Sequence, residues 1–306
     1  MTKSIVRRAV IPAGALDARF LLAAKAVPKE MLPLVDRPLI QYAVEEARAA
    51  GIDEIVIVTG RGKGTIEDHF DCTTELEDML RRNGKRSALA VVESSATGSG
   101  TIAYIRQQEP LGLAHALWCA RHIVGNEPFA VVMPDEVIQA KTPCLVQMLE
   151  AYRQVGGNLV AVTPAARSRA ARHGVIAARR RDDRLLAAAG VDGWPGAGID
   201  AARWAIVGRF IVESAILDRL DTADSRPFAE MIARGAGDSA LHAYAFAGRY
   251  FDCSDALGLF EANLAYTLAR TDLAPAARHL LSRYSRLADA TSRLRLVEPT
   301  ALQASG

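Results

Sequence analysis

Cysteine is scarce and scattered in this chain, which has four in 306 residues. No two of them form a Cys-x-x-Cys pair. This argues against a metal knuckle and against a dithiol redox pair. We expect isolated buried thiols in a reducing compartment. The four positions are Cys72, Cys119, Cys144 and Cys253.

Long apolar runs and an excess of one charge are also missing. Nothing approaches the roughly 18 apolar residues of a membrane span. The first apolar run, which ends at Pro12, is too short for a signal peptide, so we expect a cytoplasmic protein with no membrane partner. The formal net charge is +2, from 37 Lys and Arg against 35 Asp and Glu, which argues against a nucleic-acid partner. A hydrophobic fraction of 50% excludes a disordered chain.

What the chain does have is an alternation of short apolar runs and helical patterns. Such an alternation is typical of parallel strands joined by right-handed helical crossovers. We therefore expect an α/β fold in which a doubly wound sheet of parallel strands is covered by helices on both faces. The expected strands are 9–11, 55–58, 89–92, 129–133, 205–207 and 244–246, and the expected helices are 38–51, 75–82, 113–122, 214–220, 227–233 and 255–269.

Ligands of such sheets bind where strands end, so residues just after the strands are the candidates for a site. Arg19, Lys25 and Lys29 follow the first strand and can bind phosphates, or can simply be solvated. Asp135 follows the strand 129–133 and suits a hard divalent cation, or a role as a helix cap. Asp252 could add a second carboxylate to that cation, or be an ordinary loop residue.

Three other features favour structural roles. The segment 60–64, Gly-Arg-Gly-Lys-Gly, lacks the full Walker and dinucleotide patterns and favours a flexible turn. His115 falls within an expected helix and favours a structural role. The basic run 179–181 is followed at once by Asp182, which indicates a solvated turn.

The segment 25–42, Lys-Ala-Val-Pro-Lys-Glu-Met-Leu-Pro-Leu-Val-Asp-Arg-Pro-Leu-Ile-Gln-Tyr, resembles the signature of bacterial UTP:glucose-1-phosphate uridylyltransferases. The resemblance covers most of residues 5–270 and is strongest in the first half. It continues in shorter segments at 57–63, 67–71, 106–113, 127–131, 174–176, 206–209 and 250–253.

The resemblance implies a sugar nucleotidyltransferase fold, which is a Rossmann-like mixed, mostly parallel sheet with helices on both faces. Residues 1–165 would form its nucleotide-binding half, residues 166–270 its sugar-phosphate-binding half, and residues 271–306 a helical or flexible tail. The implied reaction joins UTP and glucose-1-phosphate into UDP-glucose and pyrophosphate, by Mg²⁺-assisted in-line attack on the α-phosphorus. The implied partners are UTP and a sugar 1-phosphate, together with further copies of the chain or a paralogue in an oligomer. The implied pathway is polysaccharide biosynthesis.

The resemblance also assigns roles to residues at matching positions. Those roles are neutralisation of the triphosphate, binding of the nucleotide, close approach of the sugar, and binding of Mg²⁺. Neutralisation of the triphosphate is assigned to Arg19 and Lys25, and binding of the nucleotide to Ala15, Glu30, Gln107 and Gly112. Close approach of the sugar is assigned to Gly174, and binding of Mg²⁺ to Asp135 and Asp252.

The sequence departs from the family pattern at several places, which include Leu22 and Ala24 before Lys25 and the segment 226–232. The family's first loop reads Gly-Leu-Gly-Thr-Arg, whereas residues 15–19 read Ala-Leu-Asp-Ala-Arg, with Asp17 near the expected phosphates. The family's Glu-Lys-Pro motif aligns with Gly193, Trp194 and Pro195. These departures motivate an alternative function, that of a catalytically impaired paralogue that regulates or oligomerises with an active uridylyltransferase. Under the enzyme hypothesis, Arg203 is the nearest candidate to replace the missing lysine.

Overall fold

The computed structural model describes residues 6–15, 18–96, 98, 100–165, 173–191, 202–220, 228–235 and 240–291. The strands are β1 (Arg8–Pro12), β2 (Pro33–Leu34), β3 (Arg37–Pro38), β4 (Glu54–Thr59), β5 (Ile102–Arg106), β6 (Phe129–Val132), β7 (Glu136–Gln139), β8 (Asn158–Pro164), β9 (Val175–Arg180), β10 (Leu185–Val191), β11 (Ala202–Val212), β12 (Leu241–Ala245) and β13 (Arg249–Asp252). The α-helices are α1 (Leu39–Ala49), α2 (Gly64–Phe70), α3 (Thr74–Arg82), α4 (Arg86–Ser95), α5 (Leu113–Cys119), α6 (Arg121–Val124), α7 (Cys144–Val155), α8 (Phe228–Gly235), α9 (Ala256–Ala269) and α10 (Ala274–Thr291).

Nine strands form one mixed sheet in the order β5-β4-β1-β6-β11-β8-β12-β10-β9. The strands β5, β4, β1 and β6 are parallel, whereas β11 runs antiparallel to β6, β8 and β9. The expected mixed α/β sheet is confirmed, but its antiparallel share is larger than expected. One reason is that a short turn joins β9 to β10, and such a turn permits only antiparallel pairing.

Two apolar cores cover the two faces of this sheet. Along β1, Ala9 and Ile11 contribute to one core and Val10 to the other, because successive side chains of a strand point to opposite faces. Helices α1 and α7 pack on the first face, through residues such as Ile40 and Met148. Helices α5 and α8 pack on the second face. The expectation of helices on both faces is confirmed.

The strand expected at 89–92 is wrong. These residues belong to α4, which has no buried residues, and the next strand is β5. A four-residue apolar run has the same pattern in a strand and in a helix, so the pattern alone could not distinguish the two structures.

The turn expected after the basic run 179–181 is confirmed, since Asp182 Oδ1 accepts the backbone N–H of Arg184 and Leu185 at 3.0 and 2.8 Å.

The chain divides into two compact units, residues Met1–Ala262 and Asn263–Gly306. The first unit contains the whole sheet, with strands from both 1–165 and 166–270. The described part of the second unit is helical, and it ends with α10. No helix among the described residues is long and apolar enough to cross a lipid bilayer. Of the cysteines, all of them free, Cys144 and Cys253 are buried as expected, whereas Cys72 is exposed.

Candidate functional site

The strands β5, β4, β1 and β6 end at the same edge of the sheet. Backbone hydrogen bonds continue past these ends. The N–H of Ala13 donates to Val58 O, and the N–H of Gln107 donates to Thr59 O, both at 2.8 Å. The loops that carry the expected site residues therefore begin side by side, at the edge where sheets of this kind bind ligands.

Two glycines leave room for the amide of Gln107 at this edge. A Cβ on Gly14 would overlap Oε1 of Gln107, and a Cβ on Gly60 would lie 2.8 Å from Gly14 O. Gln107 is 4% exposed, and its Nε2 donates to the carbonyl of Gly112 at 3.1 Å. Gly112 has a φ of +100°, which favours glycine. The result is a polar slot with little side-chain bulk around one oriented amide.

Lys63 ties the loop after β4 to the loop after β1. Its Nζ donates to both carboxylate oxygens of Glu30, at 2.9 and 2.8 Å, and to the carbonyl of Ala15 at 2.9 Å. Burial raises the pKa of Glu30, against the attraction of Lys63. Burial likewise lowers the pKa of Lys63, against the attraction of Glu30. Glu30 and Ala15 thus anchor the first loop, and the turn expected at 60–64 carries a buried lysine just before α2.

Asp135 lies in a buried turn directly after β6. Its Oδ2 accepts a hydrogen bond from Nζ of Lys29 at 2.9 Å, and both side chains are less than one-tenth exposed. Arg209 stabilises the turn, because its guanidinium donates to the carbonyls of Met133 and Glu136 at 3.1 and 2.9 Å. The position of the carboxylate is therefore set both by the turn that Arg209 stabilises and by the hydrogen bond from Lys29.

Asp252 lies beside the same turn. It ends β13, which pairs with β7 so that Asp252 is opposite Glu136. The next residue, Cys253, donates its backbone N–H to the carbonyl of Asp135 at 2.9 Å. These contacts bring the two expected metal-binding carboxylates to adjacent segments.

Arg19 reaches this place from the first loop. Its Nη1 donates to Oγ of Ser254 at 2.7 Å, and the backbone N–H of Ser254 donates to Oδ1 of Asp252 at 3.0 Å. The structure thus gathers Arg19, Asp135 and Asp252 from distant parts of the sequence.

The carboxylates of Asp135 and Asp252 suit a hard divalent cation. Among the described residues there is no group of three or more potential His, Cys, Asp or Glu ligands. Mg²⁺ does not need such a group, because it is commonly held by one or two carboxylates together with water and phosphate oxygens. The donor chemistry of the pair therefore fits Mg²⁺.

Glu136 links the Asp135 turn to the start of β9. Its Oε1 lies 2.5 Å from Nε2 of His173, and its Oε2 accepts the backbone N–H of Gly208 at 2.8 Å. His173 directly precedes Gly174, whose φ is +106°. The glycine expected to face the sugar is thus connected, through one buried pair, to the proposed cation site.

Other expected residues lie at the surface or outside the described residues. Lys25 lies in the first loop with an exposed side chain, and Arg203 is exposed on β11. Asp17, Gly193 and Trp194 lie outside the described residues.

Two cavities differ in their relation to this site. A cleft of about 380 Å³ opens at the ends of β4 and β5, lined in part by Thr59, Gly60, Lys63 and Arg106. A larger cavity of about 580 Å³ lies between α6 and residues 214–218, and none of the expected site residues lines it. The smaller cleft adjoins the site.

Sequence reasoning missed Lys63, Glu136, His173 and Arg209. Each has its partner far along the chain, as with Lys63 and Glu30, 33 positions apart, or Glu136 and His173, 37 apart. The local signals were present but weak. Lys63 lies in a glycine-rich turn after a strand, and Glu136 directly follows Asp135.

Comparisons with known proteins agree on one family. A family model described as Nucleotidyl transferase matches residues 9–255. A UTP–glucose-1-phosphate uridylyltransferase of Komagataeibacter xylinus is 37% identical over 261 residues, which cover 84% of this chain and 92% of that protein. The Bacillus subtilis protein of the same name is 38% identical over 273 residues, 88% of this chain and 93% of that protein. The solved structure of UTP-bound UGPase from Acinetobacter baumannii is 31% identical and has a TM-score of 0.82, covering 90% of this chain and 99% of that one.

Proposed function

The chain belongs to the nucleotidyl transferase family and, within it, to the UTP–glucose-1-phosphate uridylyltransferases, and we propose that it forms UDP-glucose and pyrophosphate from UTP and glucose-1-phosphate. The observation that carries the proposal is the convergence of Arg19, Asp135 and Asp252 at the edge of the sheet where Gln107 also lies. The basic group suits the phosphates of a nucleoside triphosphate, the two carboxylates suit the Mg²⁺ that accompanies it, and the oriented amide suits its base.

In this reaction a phosphate oxygen of the sugar phosphate attacks the α-phosphorus of UTP. A new P–O bond forms, and the bond from the α-phosphorus to the departing pyrophosphate breaks. Arg19 and Lys25 neutralise the triphosphate, Gln107 and Gly112 hold the uracil, and Gly174 allows the sugar to approach. No acid–base pair is needed, so catalysis consists mainly of positioning and charge neutralisation.

Asp135 and Asp252 would hold Mg²⁺. When bound, Mg²⁺ would neutralise charge on the phosphate oxygens and orient them. The task of the chain itself is to keep both carboxylates in place. It does this through Lys29, through the backbone N–H of Ser254, and through the hydrogen bond from Cys253 to Asp135.

The comparisons do not favour the alternative of an impaired regulatory paralogue, because proteins named as the enzyme match this chain over most of its length. It still predicts a different result, because an impaired paralogue releases no pyrophosphate.

The decisive experiment is a pyrophosphate-release assay on the purified chain with UTP, glucose-1-phosphate and Mg²⁺. We expect turnover, and we expect Lys25→Ala to lower kcat/KM by about 10²–10³-fold, the usual cost of one lost electrostatic contact in the transition state. Lys85→Ala is the matched control, because Lys85 is also exposed, directly precedes α4, and takes part in none of the contacts described for the site. Unchanged turnover in Lys25→Ala would reject the assignment of this lysine. The absence of turnover in the unaltered chain would reject the enzyme.

The nucleotide slot gives a second prediction. Gly14→Ala is expected to raise the KM for UTP about tenfold or more, equivalent to at least ~1.4 kcal/mol of binding free energy, because the added Cβ displaces the Gln107 amide. Gly64→Ala is the control, since a Cβ at Gly64 meets nothing within 4 Å. Steady-state kinetics with varied UTP measure both, and equal KM values for the two variants would contradict this account of the slot.

We expect an oligomer in the cytoplasm. The free cysteines fit a reducing compartment. Leu257 and Phe260, which are 55% and 63% exposed on α9, are apolar surface that association could cover. Sedimentation velocity of the purified chain measures the oligomeric state.

A further inference from the structure

The ring of His115 lies against the amide of Gln107. Its Nδ1 is 3.0 Å from Nε2 of Gln107, and the same Nε2 is 3.1 Å from the carbonyl oxygen of Gly112. A carbonyl oxygen can only accept, so the Gln107 atom that faces Gly112 is the nitrogen. Its two hydrogens are therefore engaged, one by Gly112 and the other by His115.

The role of Nδ1 depends on the tautomer of the ring, and the contact with Gln107 calls for one tautomer in particular. The imidazole of His115 accepts a hydrogen bond at Nδ1 only when it is neutral and carries its proton on Nε2. That Nε2 lies 3.8 Å from Sγ of Cys119, which can accept a weak hydrogen bond. The carbonyl of Glu109, 3.1 Å from Nδ1 at an exposed position, is then left to other donors such as water. Toward Gln107, His115 is an acceptor.

The consequence is that Gln107 presents an oxygen to the slot. Its Oε1 is the atom that a Cβ on Gly14 would overlap, so it turns toward the first loop. An amide oxygen accepts hydrogen bonds and cannot donate them. Uracil carries a hydrogen on N3, whereas cytosine carries a lone pair there. An acceptor at this point attracts the first base and repels the second.

We propose that His115 is a positioning residue that holds the Gln107 amide in the orientation selecting a uracil nucleotide over a cytosine nucleotide. The inference rests on the proposed function, which places the base at Gln107. A half-turn of the amide would exchange Oε1 and Nε2 and would turn the oxygen toward two acceptors, Gly112 O and His115 Nδ1. The acceptor on Gly112 is a backbone carbonyl, so of the two acceptors only His115 can be removed by a substitution.

The test compares His115→Asn with His115→Leu. The asparagine Oδ1 takes roughly the place of Nδ1 and can accept, whereas leucine cannot. For each protein we would measure kcat/KM and Kd with UTP and with CTP, the KM for glucose-1-phosphate, and thermal unfolding. We expect the preference for UTP over CTP to fall about five- to tenfold in His115→Leu, in line with one net hydrogen bond. The KM for glucose-1-phosphate should not change, and His115→Asn should retain most of the preference.

The outcomes separate this inference from the function on which it rests. If the unaltered protein turns over UTP and His115→Leu keeps the full preference, or if both variants lose it equally, the positioning role is overturned. An unaltered protein that turns over UTP but binds UTP and CTP equally would overturn the selection by Gln107 alone, whereas one that neither binds nor turns over UTP would overturn both proposals. A loss of activity in His115→Leu that is equal for UTP and CTP would indicate a merely structural histidine.

Discussion

Replacing Asp135 by asparagine is expected to lower kcat/KM for UDP-glucose formation by about 10³-fold. That factor corresponds to about 4 kcal/mol of transition-state stabilisation, within the several kcal/mol that a catalytic metal ion contributes. Asparagine keeps an oxygen that can accept the hydrogen bond from Lys29, now 2.9 Å from Oδ2 of Asp135. The substitution therefore removes the charge that the cation needs while keeping the hydrogen bond between this side chain and Lys29. Pyrophosphate release over a range of Mg²⁺ concentrations measures the effect.

Two further variants make the Asp135 experiment specific. Asp252→Asn is expected to act in the same direction, because Asp252 supplies the second carboxylate. Asp182→Asn is the control, since Asp182 also accepts backbone N–H groups but lies in the exposed turn between β9 and β10. Normal activity and normal Mg²⁺ dependence in Asp135→Asn would contradict the proposed cation site.

The central strands were predictable from the sequence because their apolar runs are continuous. The runs 9–11, 55–58 and 129–133 became β1, β4 and β6, whose side chains are covered on both faces. The failure at 89–92 has a physical cause. Those residues form a helix in which no residue is fully buried, so no core distinguished one period from the other. The strand β10 was not predicted although it is apolar throughout, Leu-Leu-Ala-Ala-Ala-Gly-Val, because alanine favours helices over strands and so gives no strand signal.

The predicted site was only partly accessible to local reasoning. Spacing alone left Asp252 as an ordinary loop residue, and the family resemblance was needed to pair it with Asp135. The structure supplies the connection, a backbone hydrogen bond from Cys253 to Asp135. Supporting groups such as Lys63 have partners that only the fold brings near, so no pattern within a short window could identify them.

Glu46→Ala is expected to destabilise the sheet-containing unit by about 3–5 kcal/mol, the usual cost of leaving one buried charge without its partner. Arg209 is 1% exposed, and its Nε and Nη2 both donate to Oε2 of Glu46, at 3.0 and 2.8 Å. Oε1 of Glu46 also accepts the backbone N–H of Leu145 at the start of α7. Urea denaturation followed by tryptophan fluorescence measures the loss. Glu45→Ala, the next residue of α1, is the control, because its pair with Arg37 is 40–47% exposed and contributes at most about 1 kcal/mol.

Removing both charges separates stability from catalysis. Glu46→Leu combined with Arg209→Met leaves no unpaired buried charge, so most of the lost free energy of unfolding should return. Activity should stay low, because the same guanidinium donates to the carbonyls of Met133 and Glu136, which flank Asp135. Without those donors the turn that carries the carboxylate loses its fixed geometry, and a catalyst that acts by positioning loses rate. If activity recovered together with stability, Arg209 would be a structural residue only, and the buried pair would have no part in holding the cation site.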